Sequence, residues 1–143
     1  MSNLTQDSRL WSLLFAAWLV ALTATLGALF IGEVMGQAPC NLCWFQRVFM
    51  FPLAVILGIA LIRNDGSVWA YALPLAGIGS AVALFHSLLF LKVIPEGITP
   101  CGQGPSCASA DMSFAGLPLP ILSLITFLAI AALLLAVRRK VTS

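Results

Sequence analysis

The sequence predicts an all-α integral membrane protein folded as a four-helix transmembrane bundle. Two observations carry that prediction. Hydrophobic residues make up 61% of the chain and charged residues only 8%, with a mean hydropathy of +1.05, whereas about one-quarter of a soluble domain is charged. Residues 10–32, 48–62, 66–91 and 112–137 also run without a formal charge, set against the about 20 apolar residues a membrane helix needs.

The first span is expected at about residues 10–32. Arg9 ahead of an apolar run resembles the start of a secretion signal. The run is longer than the about 7 to 15 apolar residues of such a signal, and no convincing small-residue cleavage site follows, so an uncleaved helix is expected. The second span, about 44–62, is bounded by Arg47 and Arg63. It crosses only if the helix starts near Cys43 and both arginines extend toward the interfaces. The third span, about 67–91, carries the sole histidine, His86, and the fourth, about 114–137, runs into Arg138, Arg139 and Lys140. With short connections and no internal repeat, residues 1–143 form one domain, and no nucleic-acid partner is expected.

Orientation follows from the basic residues. Arg9, Arg63, Arg138, Arg139 and Lys140 fall on one side, Arg47 and Lys92 on the other, which predicts both termini in the cytoplasm. Parity is the stronger constraint, because the loops after spans one and three must share a side. Those loops, 33–43 and 92–113, hold all four cysteines. The charge bias puts them outside the cytosol, where disulfides form and persist.

Cys40 and Cys43 form a C-x-x-C pair, whose spacing lets two sulfurs cycle between dithiol and disulfide. Pro39 suits the first turn of a helix. Cys40 is therefore expected at the mouth of span two, where unpaired N–H groups and the helix dipole favour an anion. At about 100° per residue, Cys40, Cys43 and Arg47 share one helical face that continues to Phe51, so a guanidinium joins the helix end in favouring a thiolate. Arg47 is also suited to interfacial anchoring, with Trp44 and Phe45 in an aromatic belt. The second pair, Cys101 and Cys107, is separated by Gly102-Gln103-Gly104-Pro105-Ser106, which permits a tight turn. A disulfide there closes a small ring and makes a weak staple but a good exchange partner. The alternatives are a structural bridge or a half-site for metal at Cys40 and Cys43, and a zinc site of all four cysteines, whose ligand spacing is loose for a ribbon or knuckle. His86 is expected about 9 Å below the outer end of span three. There it either serves a bound electron acceptor or is a buried histidine bonded to a neighbour such as Ser80 or Ser87. Glu33 is expected to be a solvated loop residue.

The run Pro39-Cys40-Asn41-Leu42-Cys43-Trp44-Phe45-Gln46-Arg47 resembles the P-C-x-L-C-W-[FY]-Q-R motif of the DsbB family of disulfide-bond formation proteins, in its short, BdbC-like form. The likeness covers nearly the whole chain. It includes the late histidine of span three, the second cysteine pair, and Phe114-Ala115-Gly116-Leu117-Pro118-Leu119-Pro120 before span four.

This resemblance implies a bacterial cytoplasmic-membrane enzyme that reoxidises a DsbA-like thioredoxin-fold thiol oxidase and passes the electrons to a quinone, ubiquinone or menaquinone. It implies that Cys101 forms the mixed disulfide with the partner and that Cys107 exchanges with Cys40. Cys43 then meets the quinone, Arg47 supports that thiolate or a quinone oxygen, and His86 lies near the ring. The DsbA-type partner that the resemblance implies is a strong oxidant at about −120 mV, roughly 7 kcal/mol from thioredoxin for two electrons, so an external acceptor is required. The chain departs from longer members in having only five residues between Cys101 and Cys107, and the segment 92–111 is expected to swing over Cys40 as a flap. Three other readings compete. A reductase of the vitamin K epoxide type places its active C-x-x-C late in the bundle. A metal-binding membrane protein would use the four external cysteines. A redox-sensing regulator would need an output domain.

Overall fold

In the computed structural model, residues 2–95, 97, 107 and 113–143 are described. They include four long helices: α1 (Ser2–Leu29), α2 (Asn41–Arg63), α3 (Trp69–Phe90) and α4 (Leu119–Thr142). Segments Ser8–Val34, Asn41–Arg63, Gly66–Phe90 and Leu119–Thr142 are long and apolar enough to cross a membrane. At about 1.5 Å per residue, even the shortest reaches the about 30 Å of a hydrocarbon core.

The helix ends have local causes. A π-helical turn, Phe30–Val34, extends α1, so Glu33 is exposed on this turn and not in a loop. Because α2 starts at Asn41, it incorporates Cys43 and Arg47 and gains the length its charge-free stretch lacks. It stops where Asn64 adopts a left-handed conformation at φ 50°, one that asparagine tolerates better than most residues. Asp65 then caps the 3₁₀ turn Gly66–Val68 by accepting from the Ser67 N–H at 2.9 Å and the Ser67 hydroxyl at 2.6 Å. Those bonds hold the Asp65 carboxyl below its usual range. Before α4, β1 (Ser113–Phe114) and β2 (Leu117–Pro118) pair antiparallel around Ala115 and Gly116 at φ 52° and 81°. Two positive φ values in sequence mark a tight hairpin turn. The hairpin occupies the residues expected to open the fourth span and delays its helix to Leu119.

Each helix packs on two neighbours, in the cyclic order α1, α2, α3, α4. The shared core includes Leu14 and Ala17 of α1, Leu53 and Leu57 of α2, Ala72 and Ala76 of α3, and Phe127 and Ile130 of α4. Large apolar side chains such as Leu26, Val55, Ile78 and Ile125 face outward, as lipid requires. Small residues let membrane helices approach closely, and Gly79 is the tightest case: a Cβ there would collide with the Phe127 ring. Gly79→Ala is therefore expected to destabilise the bundle by about 1–3 kcal/mol, the range for overpacking. Phe127→Leu in the same chain should recover part of the loss, and thermal unfolding in detergent reads both.

Candidate functional site

One end of the bundle holds a buried cluster of Cys40, Leu42, Leu89 and Cys107, with Cys43, Val82, Phe85 and Ile94 packed against it. The opposite end carries the Asn64–Gly66 turn, and there the Arg138 guanidinium lies 5.0 Å from the Trp69 ring.

Cys40 is the N-cap of α2, with extended backbone at φ −70° and ψ 168°. Its sulfur accepts from the Cys43 backbone N–H at 3.4 Å, the position a serine or aspartate oxygen takes in an ordinary cap. The Cys43 sulfur lies 3.1 Å away, and both cysteines are reduced. The Cys43 thiol lowers the Cys40 pKa most; burial opposes it, and His86 and the Cys43 N–H add to the lowering, giving about 4 in place of 9.0. A thiol so placed favours the thiolate and is a good leaving group in exchange.

His86 is fully buried on the α3 face marked by Ala72, Ala76, Gly79 and Ala83. Its Nε2 lies 3.8 Å from the Cys40 sulfur and 3.2 Å from the Cys107 carbonyl oxygen. Its Nδ1 lies 3.1 Å from Gln46 Nε2. A carbonyl can only accept, so Nε2 carries the proton; in the neutral ring Nδ1 then accepts from the Gln46 amide. Gln46 thus holds the ring with its N–H facing the Cys40 sulfur and the Cys107 carbonyl. The residues offered at first sight as partners of His86 are occupied elsewhere: Ser80 donates to the Ala76 carbonyl and Ser87 to the Ala83 carbonyl, each at 2.8 Å.

Cys107 is buried and disulfide-bonded. Cys101, its expected partner, and the rest of the expected flap between Gly97 and Ser113 lie outside the described residues, Cys107 excepted.

Arg47 shares the Cys43 side of α2, yet its guanidinium turns to α1. Nη2 donates to the Ala28 carbonyl at 2.7 Å, and the group lies 5.5 Å from the Trp44 ring. Gly32 makes room for it, since a Cβ there would sit 2.9 Å from Nη2. The nearest imidazole, and not this guanidinium, is what Cys40 meets. Thr25, seven residues before Gly32 and hence on the same α1 face, carries a buried hydroxyl with no hydrogen-bond partner among the described residues. Trp44 and Phe45 are exposed beside the dithiol, as an interfacial belt requires. Gln46 is the site residue to which the sequence reading assigned no role.

The family model described as "Disulfide bond formation protein DsbB" matches residues 8–137. The chain is 60% identical to a "Probable disulfide formation protein" of Metapseudomonas resinovorans, over 92% of this chain and 93% of the relative. It is 42% identical to a protein of the same description from Deinococcus radiodurans, over 97% and 94% of the two chains. It is also 42% identical to "Disulfide bond formation protein C" of Bacillus subtilis, over 82% and 86%. No solved structure matches.

Proposed function

The chain belongs to the DsbB family of disulfide bond formation proteins, and from that premise we propose the route by which this membrane quinone-dependent oxidoreductase moves electrons. Cys101 forms a mixed disulfide with a reduced DsbA-like thiol oxidase outside the cytoplasm, and Cys107 is the leaving sulfur. When the second partner thiolate attacks, the partner departs oxidised and Cys101 and Cys107 are left as thiols. Cys107 attacks Cys40 of an oxidised Cys40–Cys43 pair and expels the Cys43 thiolate. Cys101 then attacks Cys107, restores the second disulfide and releases Cys40. The reduced Cys40–Cys43 pair finally gives up two electrons and two protons and closes again.

One observation carries this reading: a single histidine bridges the Cys40 thiol and the backbone of Cys107, inside one buried cluster. Disulfide exchange needs sulfurs from the two pairs to approach, and this contact supports such an approach.

The acceptor side is supported by chemistry on the Cys43 flank. Arg47 offers a forked donor, and Trp44 and Phe45 an exposed aromatic edge. A planar, apolar diketone suits that set, with Cys43 and Arg47 holding it and His86 within reach of the same dithiol. A quinone, ubiquinone or menaquinone, supplies a two-electron, two-proton acceptor when bound.

Arg47→Met is expected to weaken quinone use by about tenfold to a hundredfold in kcat/KM, the loss of one hydrogen bond to a charged donor. The KM for the partner should stay unchanged. The check is steady-state kinetics with each substrate varied in turn across pH; identical profiles in both proteins would return Arg47 to interfacial anchoring.

A further inference from the structure

We propose that reduced Cys40 and Cys43, together with His86, form a binding site for one thiophilic divalent cation, zinc in particular, and that the site exists only while the pair is reduced. This rests on the geometry of the dithiol and not on the route of electron transfer. The Cys40 sulfur, the Cys43 sulfur and an imidazole nitrogen all lie within 4.8 Å of one another. Zinc binds sulfur at about 2.3 Å and histidine nitrogen at about 2.0 Å, so tetrahedral ligands stand about 3.5–3.8 Å apart. The observed 3.1 Å between sulfurs and 3.8 Å from Cys40 to His86 Nε2 bracket that range. Binding requires the two sulfurs to part and the Cys43 sulfur and the imidazole, within 4.8 Å of each other, to settle at that spacing. Two sulfurs and one imidazole leave a fourth position for water, a ligand count zinc accepts.

The surroundings suit a bound ion as well. The Cys43 N–H already donates to the Cys40 sulfur, a bond that stabilises a metal thiolate. To bind through Nε2, His86 must carry its proton on Nδ1, and a ligating histidine is held best when that N–H meets an oxygen. Gln46 meets this need because its amide is two-faced. Turned by 180°, it presents Oε1 to the Nδ1 proton in place of the N–H it now offers. The same proton shift removes the Nε2–H bond to the Cys107 carbonyl, so the ion frees that carbonyl from the imidazole. Binding releases the remaining thiol protons. Closing the Cys40–Cys43 disulfide removes both sulfur donors and expels the ion, while a bound ion withholds the pair from oxidation.

The test uses the full-length chain in detergent with Cys101→Ser and Cys107→Ser, so that Cys40 and Cys43 are the only thiols. Zinc is titrated against a chromophoric chelator under anaerobic conditions, and cobalt is used in parallel for its thiolate charge-transfer band. The reduced protein should bind one ion per chain and show the band; after treatment with a thiol oxidant it should do neither. Gln46→Leu should weaken zinc by about tenfold to a hundredfold, as loss of a partner to a ligating histidine does, and His86→Ala by at least as much. Thermal melts of the zinc-free variants check that they fold. Equal binding by oxidised and reduced protein, unchanged affinity in folded His86→Ala, or no binding by the reduced protein would each overturn the proposal. None of these results bears on the relay, whose readout is electron transfer.

Discussion

Replacing Cys43 with serine should stop quinone reduction and limit the protein to oxidising one equivalent of partner. The hydroxyl fills nearly the same half-buried place beside the Cys40 sulfur, 3.1 Å from it in the parent, so the fold is expected to stand. The chemistry is not, because an oxygen cannot close the bridge through which the pair gives up its electrons. The disulfide at Cys107 remains able to oxidise one partner dithiol and then has no oxidised pair from which to be restored. Quenching with acid and counting partner disulfides per chain reads this as a burst of one with no steady state. Multiple turnovers would overturn the order of transfer proposed for the four cysteines.

Removing His86 should slow exchange at Cys40 and change its pH dependence. The imidazole is the second of the groups lowering the Cys40 pKa, after the Cys43 thiol, and a hydrogen bond to a charged group contributes about 1.5–3 kcal/mol. Loss of it corresponds to about tenfold to a hundredfold in thiolate population where the thiolate is no longer the main form. The direction follows from the depressed pKa of about 4. In the parent, Cys40 is deprotonated above that value, so its alkylation rate should be nearly level from about pH 8 down to about pH 5, where an ordinary thiol near pKa 8.5 falls about tenfold per unit. In His86→Ala the pKa rises, and the fall should begin at higher pH. Isotope-coded alkylation of the reduced protein, resolved by mass spectrometry, follows Cys40 separately from Cys43. A parent profile that falls like a free thiol would remove Cys40 as the stabilised leaving thiolate of the exchange, and superimposable profiles would remove His86 from that stabilisation.

Much of this arrangement is legible in the sequence because lipid imposes simple constraints. Span number follows from apolar length, and parity alone brings the two cysteine pairs to one end. Cys40 is at the helix mouth as expected, but as the N-cap itself, so Pro39 lies ahead of the helix and not in its first turn. Side-chain direction is less legible. A helical wheel groups Arg47 with the cysteines, yet its reach to the Ala28 carbonyl depends on the π turn of α1 and the bare backbone of Gly32. Gln46 left a readable trace as the polar member of the buried α2 stripe Leu42, Gln46, Met50, Leu53 and Leu57. Its partner was not readable, since His86 lies forty residues away on α3 and the pairing requires the packing of the two helices. The hairpin before α4 likewise depends on positive φ values at Ala115 and Gly116, and only the glycine advertises one.

The most direct measurement is quinone absorbance during addition of a reduced DsbA-type partner to the purified protein in detergent, with ubiquinone and menaquinone analogues tried in turn. The account predicts catalytic loss of oxidised quinone, one per partner dithiol oxidised, in the parent. Partner oxidation that proceeds with no loss of either quinone would contradict it.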